Sequence, residues 1–223
     1  MTQFGARRRD SSTQADPRHI ELLRNIALPL LSDSLHRSTG SVGLRPFHKP
    51  TKFTMVGTAV TVRSRGGDNL TTLRAFDYCR PGDVLVVDAE GDPSNAVVGG
   101  IMTAGAAMLG LTGVVIDGAI RDIAEIRERE FPVYARAVNH RGPYKNGPGE
   151  INVPVCIGGM VVEPGDIIVG DQDGLLAFPA SEAGAIIDKA LAQQKKEEET
   201  MAEILKGRWD RSFVAGLEAR AIN

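Results

Sequence analysis

Apolar and polar positions repeat with two different periods along this chain, and each period predicts a kind of element. In residues 19–35 the apolar side chains recur at helical spacing, which predicts one amphipathic helix or two short helices interrupted near Pro29. Residues 55–62 show instead the β-branched alternation of a strand. Beyond Ser181, the predicted N-cap, an apolar stripe with a charged opposite face predicts a long C-terminal helix.

Turn residues and short apolar runs divide the middle of the chain into strands and helices. The turn at residues 66–69 predicts a helix start with Asp68 or Asn69 as the N-cap. After Ala137 a segment punctuated by glycine and proline predicts a long loop, and loops of this length are often functional. The other predicted elements are helices over residues 70–79, 97–109 and 123–130, and strands over residues 113–116, 131–134 and 153–157.

Two segments echo each other, residues 81–91 (PGDVLVVDAEG) and residues 164–174 (PGDIIVGDQDG). Pro-Gly-Asp favours a turn, and the four mostly apolar residues that follow favour a buried strand. We interpret the echo as one turn-and-strand structure used twice. Asp88 and Asp171, which end the two strands, either cap turns or hold the residues of a site in place without contacting the ligand.

The chain has 223 residues and a 42% hydrophobic content, which suffices for one α/β domain with helical appendages. We expect that domain to span residues 18–180. Residues 1–17 are polar and lack apolar periodicity, so we expect a flexible tail rather than a nucleic-acid-binding arm. Residues 181–223 are expected to form a helical extension that packs on a neighbouring subunit.

Charge, hydropathy and cysteine content argue against several classes of protein. A net charge of -2 argues against a nucleic-acid binder, because phosphate-driven binding requires a basic face. No apolar run approaches the ~18 residues of a membrane span and the start lacks a secretory signal, so we expect a cytoplasmic protein without a membrane partner. Cys79 and Cys156 lack CxxC spacing and are expected to be packing residues.

Residues 113–122 (GVVIDGAIRD) carry the strongest chemical signal. A buried strand leads into a small-residue turn that presents Arg121 and Asp122 side by side. A guanidinium binds an anion through a planar fork, and a carboxylate binds a hard cation. The pair suits a substrate whose carboxylate and carbonyl oxygens are bridged by a metal. The alternative is a salt bridge that closes a strand end.

Paired glycines start the helix that precedes this strand. At Gly99, Gly100, Ile101 and Met102, backbone N–H groups can approach an anion at the helix N-terminus. A carboxylate fits such a cradle, although paired glycines before an alanine-rich helix also serve tight packing. Together the N–H cradle, the arginine and a metal-competent aspartate describe a site for a small 2-oxo acid.

Six motifs carry a family resemblance over residues 20–205: VGTAVTV followed by GDNL, PGDVLVVDAEG, the Gly-Gly-led helix, GVVIDGAIRD, FPVYARAVNHRGPYKNGPGE and PGDIIVGDQDG. They resemble the RraA-like family, which includes 4-hydroxy-4-methyl-2-oxoglutarate/4-carboxy-4-hydroxy-2-oxoadipate aldolases and regulators of ribonuclease E activity. In that family a small or acidic residue precedes Arg-Asp by twenty intervening residues; here it is Gly100, with Glu125 in an acidic position beyond the pair. The resemblance implies a swivelling β/β/α fold that forms homotrimers or homohexamers.

The resemblance also implies a role for each predicted site residue. The backbone N–H groups of residues 99–102 bind the substrate carboxylate, Arg121 binds the 2-oxo oxygen, and Asp122 ligates Mg²⁺ or Mn²⁺. An acidic residue from the C-terminal helix of an adjacent subunit completes the site; Glu197 is the candidate and Glu198 its nearest rival. The aldolases commonly carry Asp or Glu at the position of Gly100, a departure that bears on how the proton-transfer water is positioned.

These implied roles predict a divalent-metal-dependent aldolase, a lyase that releases pyruvate. Breaking the C3–C4 bond of a 4-hydroxy-2-oxo di- or tricarboxylic acid leaves negative charge on the pyruvyl fragment, where a metal ion and Arg121 stabilise it. Loss of CO₂ from oxaloacetate gives the same charge, so decarboxylation is an expected side activity. The alternative function is a non-catalytic RraA-like regulator that binds a ribonuclease or another protein.

The sequence alone does not decide the roles of three residues in the glycine-rich loop. Lys145 and Arg141 either meet the distal carboxylate of a di- or tricarboxylic substrate or are ordinary solvated side chains. His140 is expected to form a hydrogen bond within the loop rather than to bind a metal.

Overall fold

A mixed arrangement of helices and strands makes up the part of the chain that this computed structural model describes, residues 5–214. Most strands are short and are joined by tight turns. The strands are β1 (Arg45–Pro46), β2 (Met55–Ser64), β3 (Asp83–Asp88), β4 (Ala96–Val98), β5 (Gly113–Ile120), β6 (Val133–Val138), β7 (Gly149–Ile151), β8 (Val155–Ile157), β9 (Met160–Val162), β10 (Ile167–Gly170) and β11 (Leu175–Phe178).

The helices are mostly short, and the longest lies near the C-terminus. Within residues 5–214, none combines the length and the apolar character that crossing a membrane requires. The helices are α1 (Pro17–Leu23), α2 (Leu28–Ser34), α3 (Leu70–Ala75), α4 (Gly100–Met108), α5 (Ile123–Arg127) and α6 (Ala183–Leu205), with single 3-10 turns at Phe76–Tyr78 and Ala180–Glu182.

The helical pattern of residues 19–35 corresponds to two short helices, one of the two alternatives that its spacing allowed. Pro29 lies in the first turn of α2. A proline is tolerated there because its missing N–H would have no partner inside the helix. The interruption therefore falls before Pro29, between the end of α1 and the start of α2.

Nine of the strands found within residues 5–214 form one mixed sheet in the order β1-β6-β5-β3-β2-β10-β11, with β4 beside β5 and β7 beside β2. Strands β2, β3, β5 and β6 run parallel, whereas β10 and β11 are antiparallel to their neighbours. Strands β2, β3 and β5 are buried almost throughout, as is typical of parallel strands covered on both faces, whereas β6 becomes exposed toward its end. This sheet, flanked by N-terminal and C-terminal helices, confirms the predicted α/β fold.

The two echoed segments form the same turn on either side of β2. Asp83 Oδ2 accepts the Arg80 N–H at 2.8 Å, and Asp166 Oδ2 accepts the Glu163 N–H at 2.9 Å. The strands that follow, β3 and β10, both pair with β2, the first parallel and the second antiparallel. The structural interpretation of the echo is therefore confirmed.

The aspartates that end these strands cap backbone groups. Asp88 Oδ1 accepts the Glu90 N–H at 3.0 Å. Asp171 Oδ2 accepts the Leu28 N–H at 2.9 Å, at the first residue of α2. Asp171 also caps the turn that follows β10, because its Oδ1 accepts the Asp173 N–H at 2.8 Å. Both aspartates therefore cap turns, which is the first of the two alternatives, and Asp171 in addition ties that turn to α2.

The region predicted as one helix over residues 97–109 begins with a strand. Ala96–Val98 form β4, and α4 starts at Gly100. Helical spacing does not predict this start, because two valines among small residues fit either structure. Strand β5 is also longer than predicted and continues to Ile120.

The first half of α6 packs against helices of the same chain. Ile186 and Ile187 join Leu23 and Leu31 in one buried cluster. The second half is exposed, and Leu205 at its end is open to solvent. That half is the part of the predicted extension that is free to contact another subunit.

The predicted N-cap Ser181 lies in the 3-10 turn that precedes α6, whose own N-cap is Glu182. Residues 215–223 of the predicted extension lie outside the described residues.

The polar N-terminal segment, from residue 5 onward, lies along the domain. Arg8 forms a parallel β-bridge with Ile151, and the Arg9 N–H donates to the Ile151 carbonyl at 3.2 Å. Further along, the Ala15 N–H donates to the Thr58 hydroxyl at 3.0 Å. The lack of apolar periodicity predicts a flexible tail here; the contacts that hold the segment instead are polar, and a hydrophobic pattern does not reveal them.

Glu150 in β7 is the main anchor of this segment. Its buried carboxylate forms ion pairs with Arg7 and with Arg63, the latter at 2.9 Å, and accepts the Gly5 N–H at 3.2 Å. The hydrogen bond from Arg7 lowers the pKa of the Glu150 carboxyl from its ordinary value, although burial acts in the opposite direction. The ionised form is therefore favoured by folding.

We expect Glu150→Gln to lower the free energy of unfolding by about 2 kcal/mol at neutral pH, since two arginines lose a charged partner. Chemical denaturation measures this change, and hydrogen exchange of residues 7–9 should rise with it. Because the folded-state pKa is lowered, the contribution is complete above pH 4.5 and is lost as the pH falls through the folded pKa. Wild type and variant should therefore converge in acid.

Glu198→Gln is the matched control, because Glu198 is exposed on α6 and bonds only to a neighbouring glutamine in the described residues. Equal stability changes in the two variants at neutral pH would show that Glu150 does not anchor the segment.

Candidate active site

Two segments of the chain meet because β4 pairs with the end of β5. Parallel pairing of Ala96 with Ala119 and of Val98 with Ile120 brings the carboxyl ends of both strands to one edge of the sheet. The Arg121 N–H donates to the Val98 carbonyl at 3.0 Å. The glycines that start α4 and the Arg-Asp pair that follows β5 are therefore adjacent.

Asp122 joins the two segments through a hydrogen bond. The Gly100 N–H donates to Asp122 Oδ2 at 2.9 Å, and this carboxylate lies 3.7 Å from Arg121 Nε. Asp122 has φ 62° and ψ 39°, a left-handed conformation that costs a non-glycine residue about 1 kcal/mol. One donor of the predicted N–H cradle, Gly100, is thus engaged by Asp122. The N–H groups of Ile101 and Met102 remain available to bind an anion, since the first turn of a helix has no internal acceptors for them.

Gly99 and Gly100 leave room for two carboxylates. A Cβ atom on Gly99 would overlap Asp122 Oδ2, and one on Gly100 would overlap Glu125 Oε2. Glu125 is held there by an ion pair with Arg129, whose Nη1 donates to the Gly100 carbonyl at 3.1 Å. A side chain at either glycine would displace the neighbouring carboxylate: the Asp122 carboxylate is held by the Gly100 N–H, whereas the Glu125 carboxylate ends a flexible side chain that can move. The Glu125 carboxylate occupies the space where a side chain of residue 100 would begin.

Gly99 lines a pocket of about 180 Å³, whereas Gly100 and Glu125 lie outside its lining. Arg121 and Asp122 line it together with Lys145, which comes from the long loop between β6 and β7. Gly142 of the same loop lies against the guanidinium, since a Cβ there would be 3.0 Å from Arg121 Nη1. The pocket therefore combines two cationic side chains, one carboxylate and the N-terminus of α4, a combination that suits an anion.

The other predicted site residues lie elsewhere. Glu197 and Glu198 are on the exposed half of α6, where each accepts a hydrogen bond from a glutamine one turn earlier. Neither lines the pocket, so the structure does not bring Glu197 to Arg121 within one chain. Arg141 and His140 are exposed and also lie outside the pocket lining.

Asn69 is a pocket residue that the sequence indicates only as a possible helix cap. Its side chain is buried, and its amide donates to the Val97 carbonyl at 3.1 Å. Its Oδ1 has no hydrogen-bond partner among the described residues. Asp68 performs the cap instead, because its Oδ1 accepts the Leu70 N–H at 2.9 Å. The GDNL motif marks the turn but not the pocket role of Asn69.

An apolar face of α4 beside the pocket is open to solvent. Ile101 is 88% exposed and Met108 is 80% exposed. With Ala104 between them, also exposed, they lie at helical spacing on one face. Large apolar side chains exposed on one face are typical of a protein–protein contact.

The donor set suits a metal ion that keeps most of its water. In residues 5–214, no group of three or more His, Cys, Asp or Glu side chains is placed to hold a metal. Asp122 offers one carboxylate, of which only Oδ2 accepts a hydrogen bond from the described residues. Mg²⁺ commonly binds through one or two carboxylates with waters and substrate oxygens. Asp122 fits such an ion, but not one that needs a full cage of protein ligands.

A larger cavity of about 660 Å³ lies between residues 11–15, α1 and the turn at Pro81. Size alone would favour it as a functional site. Neither Arg121 nor Asp122 lines it. We place the candidate site in the smaller pocket because an arginine, a metal-competent carboxylate and a helix N-terminus converge there.

Relatives of this chain carry two kinds of names. A protein of Halalkalibacterium halodurans named "Putative 4-hydroxy-4-methyl-2-oxoglutarate aldolase" is 37% identical over 187 residues, which cover 83% of this chain and 88% of the relative. The 4-hydroxy-4-methyl-2-oxoglutarate aldolase of Thermus thermophilus is 36% identical over 117 residues, 52% of this chain and 71% of that protein. Among solved structures, Streptomyces coelicolor RraAS2, described as an unusual member of the RNase ES inhibitor RraA protein family, is similar with a TM-score of 0.76 at 26% identity, covering 85% of this chain and 98% of that one.

A family model gives the same assignment over a defined range. The RraA-like model, described as Aldolase/RraA, matches residues 28–177. That range contains the strands of the sheet up to β11 and both segments that form the pocket. With the matching motifs and the similar structures, it shows that this chain belongs to the RraA-like family.

Proposed function

We propose that this chain is a divalent-metal-dependent aldolase that cleaves a 4-hydroxy-2-oxo di- or tricarboxylic acid, such as 4-hydroxy-4-methyl-2-oxoglutarate, to pyruvate. The observation that carries the proposal is the convergence of Arg121, Asp122 and the N-terminus of α4 in one pocket. The names of the aldolase relatives support it.

Arg121 binds the 2-oxo oxygen of the substrate in this proposal. When the C3–C4 bond breaks, its electron pair moves onto the pyruvyl fragment and negative charge develops on that oxygen. A guanidinium held in place before the reaction stabilises this charge without reorganising. The Ile101 and Met102 N–H groups, at the positive end of α4, bind the adjacent C1 carboxylate.

Asp122 is the residue that would hold the divalent ion, Mg²⁺ or Mn²⁺. When bound, such an ion acts as a Lewis acid on the carboxylate and 2-oxo oxygens of the substrate. The Gly100 N–H fixes the orientation of the Asp122 carboxylate by binding one of its oxygens.

Glu125 is the candidate for positioning the proton-transfer water. Its carboxylate lies over Gly100, where the resembling aldolases commonly carry an acidic side chain. A water held by Glu125 accepts the proton of the C4 hydroxyl as that carbon becomes a carbonyl, and a proton is later returned to C3. Arg129 keeps the carboxylate in place by its ion pair.

Decarboxylation of oxaloacetate uses fewer of these groups. The C3–C4 bond breaks, CO₂ leaves, and the electron pair moves onto the same pyruvyl fragment. No hydroxyl proton has to be removed. The side activity should therefore need Arg121 and Asp122 but depend less on Glu125.

We further propose that the site lies at a subunit interface in a homotrimer or homohexamer. The exposed apolar face of α4 borders the pocket, and the exposed half of α6 carries Glu197. Packing one against the other between neighbouring subunits would bury the apolar face and bring Glu197 to the pocket.

The similarity to RraAS2 favours a second candidate function, a regulator that binds a ribonuclease or another protein without catalysis. The exposed face of α4 suits such a partner as well. The two candidates differ in Asp122, since a regulator does not require a carboxylate that holds a metal.

We expect Asp122→Asn to lower pyruvate release from 4-hydroxy-4-methyl-2-oxoglutarate and from oxaloacetate by at least about 10³-fold, because the charge that holds the metal is lost. Removing the metal with a chelator should abolish wild-type activity, and adding Mg²⁺ should restore it.

Asp173→Asn is a suitable control, since Asp173 lies in the turn before β11, away from the pocket. A folded wild type that releases no pyruvate from either acid would contradict the aldolase proposal and favour the regulator.

We expect Glu125→Ala to lower the aldol reaction by about 10²-fold and oxaloacetate decarboxylation by much less, because only the first requires removal of the hydroxyl proton. Adding Gly100→Asp to this variant should recover part of the activity, since the space over residue 100 is then empty. Steady-state kinetics with both acids measure the loss of aldol cleavage and the loss of decarboxylation separately.

Glu128→Ala provides the comparison, as Glu128 ends the same helix and is exposed. A uniform loss on both substrates would assign Glu125 a structural role instead.

We expect Glu197→Ala and Asp122→Ala to complement each other when the two inactive proteins are unfolded together and reassembled. If each site takes Asp122 from one subunit and Glu197 from its neighbour, about a quarter of the sites in random oligomers are intact. Pyruvate release after mixing measures this recovery, and Glu198→Ala tests the rival residue. Recovery absent from a properly assembled mixture would rule out a shared site.

A further inference from the structure

Lys145 is a cation in the pocket wall without an acidic partner. Within residues 5–214 its ammonium forms neither an ion pair nor a hydrogen bond, although the side chain lines the pocket beside Arg121 and Asp122. Arg121 serves the 2-oxo oxygen in the proposed function. A second cation in the same small pocket suits a second anionic group on the ligand.

The loop that carries Lys145 is held by one buried carboxylate. Asp68 is 1% exposed, and its Oδ2 accepts the N–H groups of Asn146 at 2.6 Å and Gly147 at 2.9 Å. These are the two backbone donors that follow Lys145 directly. The other oxygen of Asp68 accepts the Leu70 N–H at the start of α3, so the carboxylate ties the loop to a helix.

The residue before Lys145 is fixed in the same way from the other side. The Tyr144 N–H donates to the Gly67 carbonyl at 2.8 Å, and the Asn69 N–H donates to the Tyr144 carbonyl at 3.0 Å. Lys145 is thus flanked on both sides by backbone bonds to residues 67–69, although its own side chain is exposed. Because the loop is held on both sides of Lys145, it fixes the position of this charged residue rather than acting as a flexible lid.

From this geometry we infer that Asp68 is a positioning residue, which fixes Lys145 in the pocket wall so that its ammonium binds the second carboxylate of the substrate. The inference rests on the proposed function and adds to it the residue that positions the cation for the second carboxylate. Asp68 does not touch the substrate, and it acts through the backbone of residues 146 and 147.

A pair of substrates that differ in one group tests this inference. In 4-hydroxy-4-methyl-2-oxoglutarate, a carboxylate replaces the C4 hydrogen of 4-hydroxy-2-oxopentanoate, and the cleaved bond is the same. The ratio of kcat/KM for the two acids measures the preference for the second carboxylate. Wild type is expected to prefer the dicarboxylate.

We expect Lys145→Met to reduce that preference by about tenfold, the size of one charge-assisted contact. Asp68→Asn should reduce it by a similar factor, because either amide orientation sets a donor against a backbone N–H. The double variant should lose no more than either single one, since both act on the same contact.

Asp83→Asn is the matched control for a buried aspartate that binds backbone N–H groups. Asp83 is fully buried and accepts the Arg80 N–H, away from the pocket. It should lower stability without changing the substrate ratio. If Asp68→Asn does not fold, inserting one glycine between Lys145 and Asn146 tests the same point, because it moves the lysine while Asp68 stays intact.

The outcomes separate this inference from the proposed function. Equal loss on both acids in Asp68→Asn, losses that add in the double variant, or a substrate ratio that Lys145→Met leaves unchanged would overturn the inference while the aldolase stands. A folded wild type that cleaves neither acid would overturn both.

Discussion

The hydrogen bond from the Gly100 N–H to the Asp122 carboxylate connects two segments that are 22 residues apart, and the pocket depends on it. It ties the start of α4 to the end of β5 at the point where Asp122 takes a left-handed conformation. Such a conformation persists when surrounding contacts determine it. Here the contacts are the β4–β5 pairing, the N–H of Gly100 and the close approach that a glycine at position 99 allows.

Sequence patterns predict the elements that carry the site better than they predict how those elements meet. The strand before Arg121 and the glycines that start α4 are short local strings, so their chemistry is visible in the sequence. The strand β4 cannot be predicted in this way, because its two valines fit a helix equally well. The pairing of β4 with β5 brings the two strings together, and no local pattern encodes it.

Contacts between distant segments account for the other differences. Asn69 has the sequence context of a helix cap, yet its side chain lies in the pocket wall while Asp68 caps the helix. Lys145 reaches the pocket because its loop folds back onto residues 67–69. Cys156, expected to be a packing residue, is exposed because β8 turns alternate side chains outward. Each outcome depends on tertiary position rather than on residue type.

The close approach of residue 100 and Glu125 bears on how the family diversifies. An acidic side chain at position 100 would overlap the Glu125 carboxylate as it stands, so that carboxylate would have to move aside. Because it is the end of a flexible, half-exposed side chain, its movement costs chiefly the ion pair with Arg129. Gaining an acid at position 100 is therefore a small evolutionary step, since it requires a rotation of Glu125 and a new partner for Arg129 but no change in the backbone of α4 or α5.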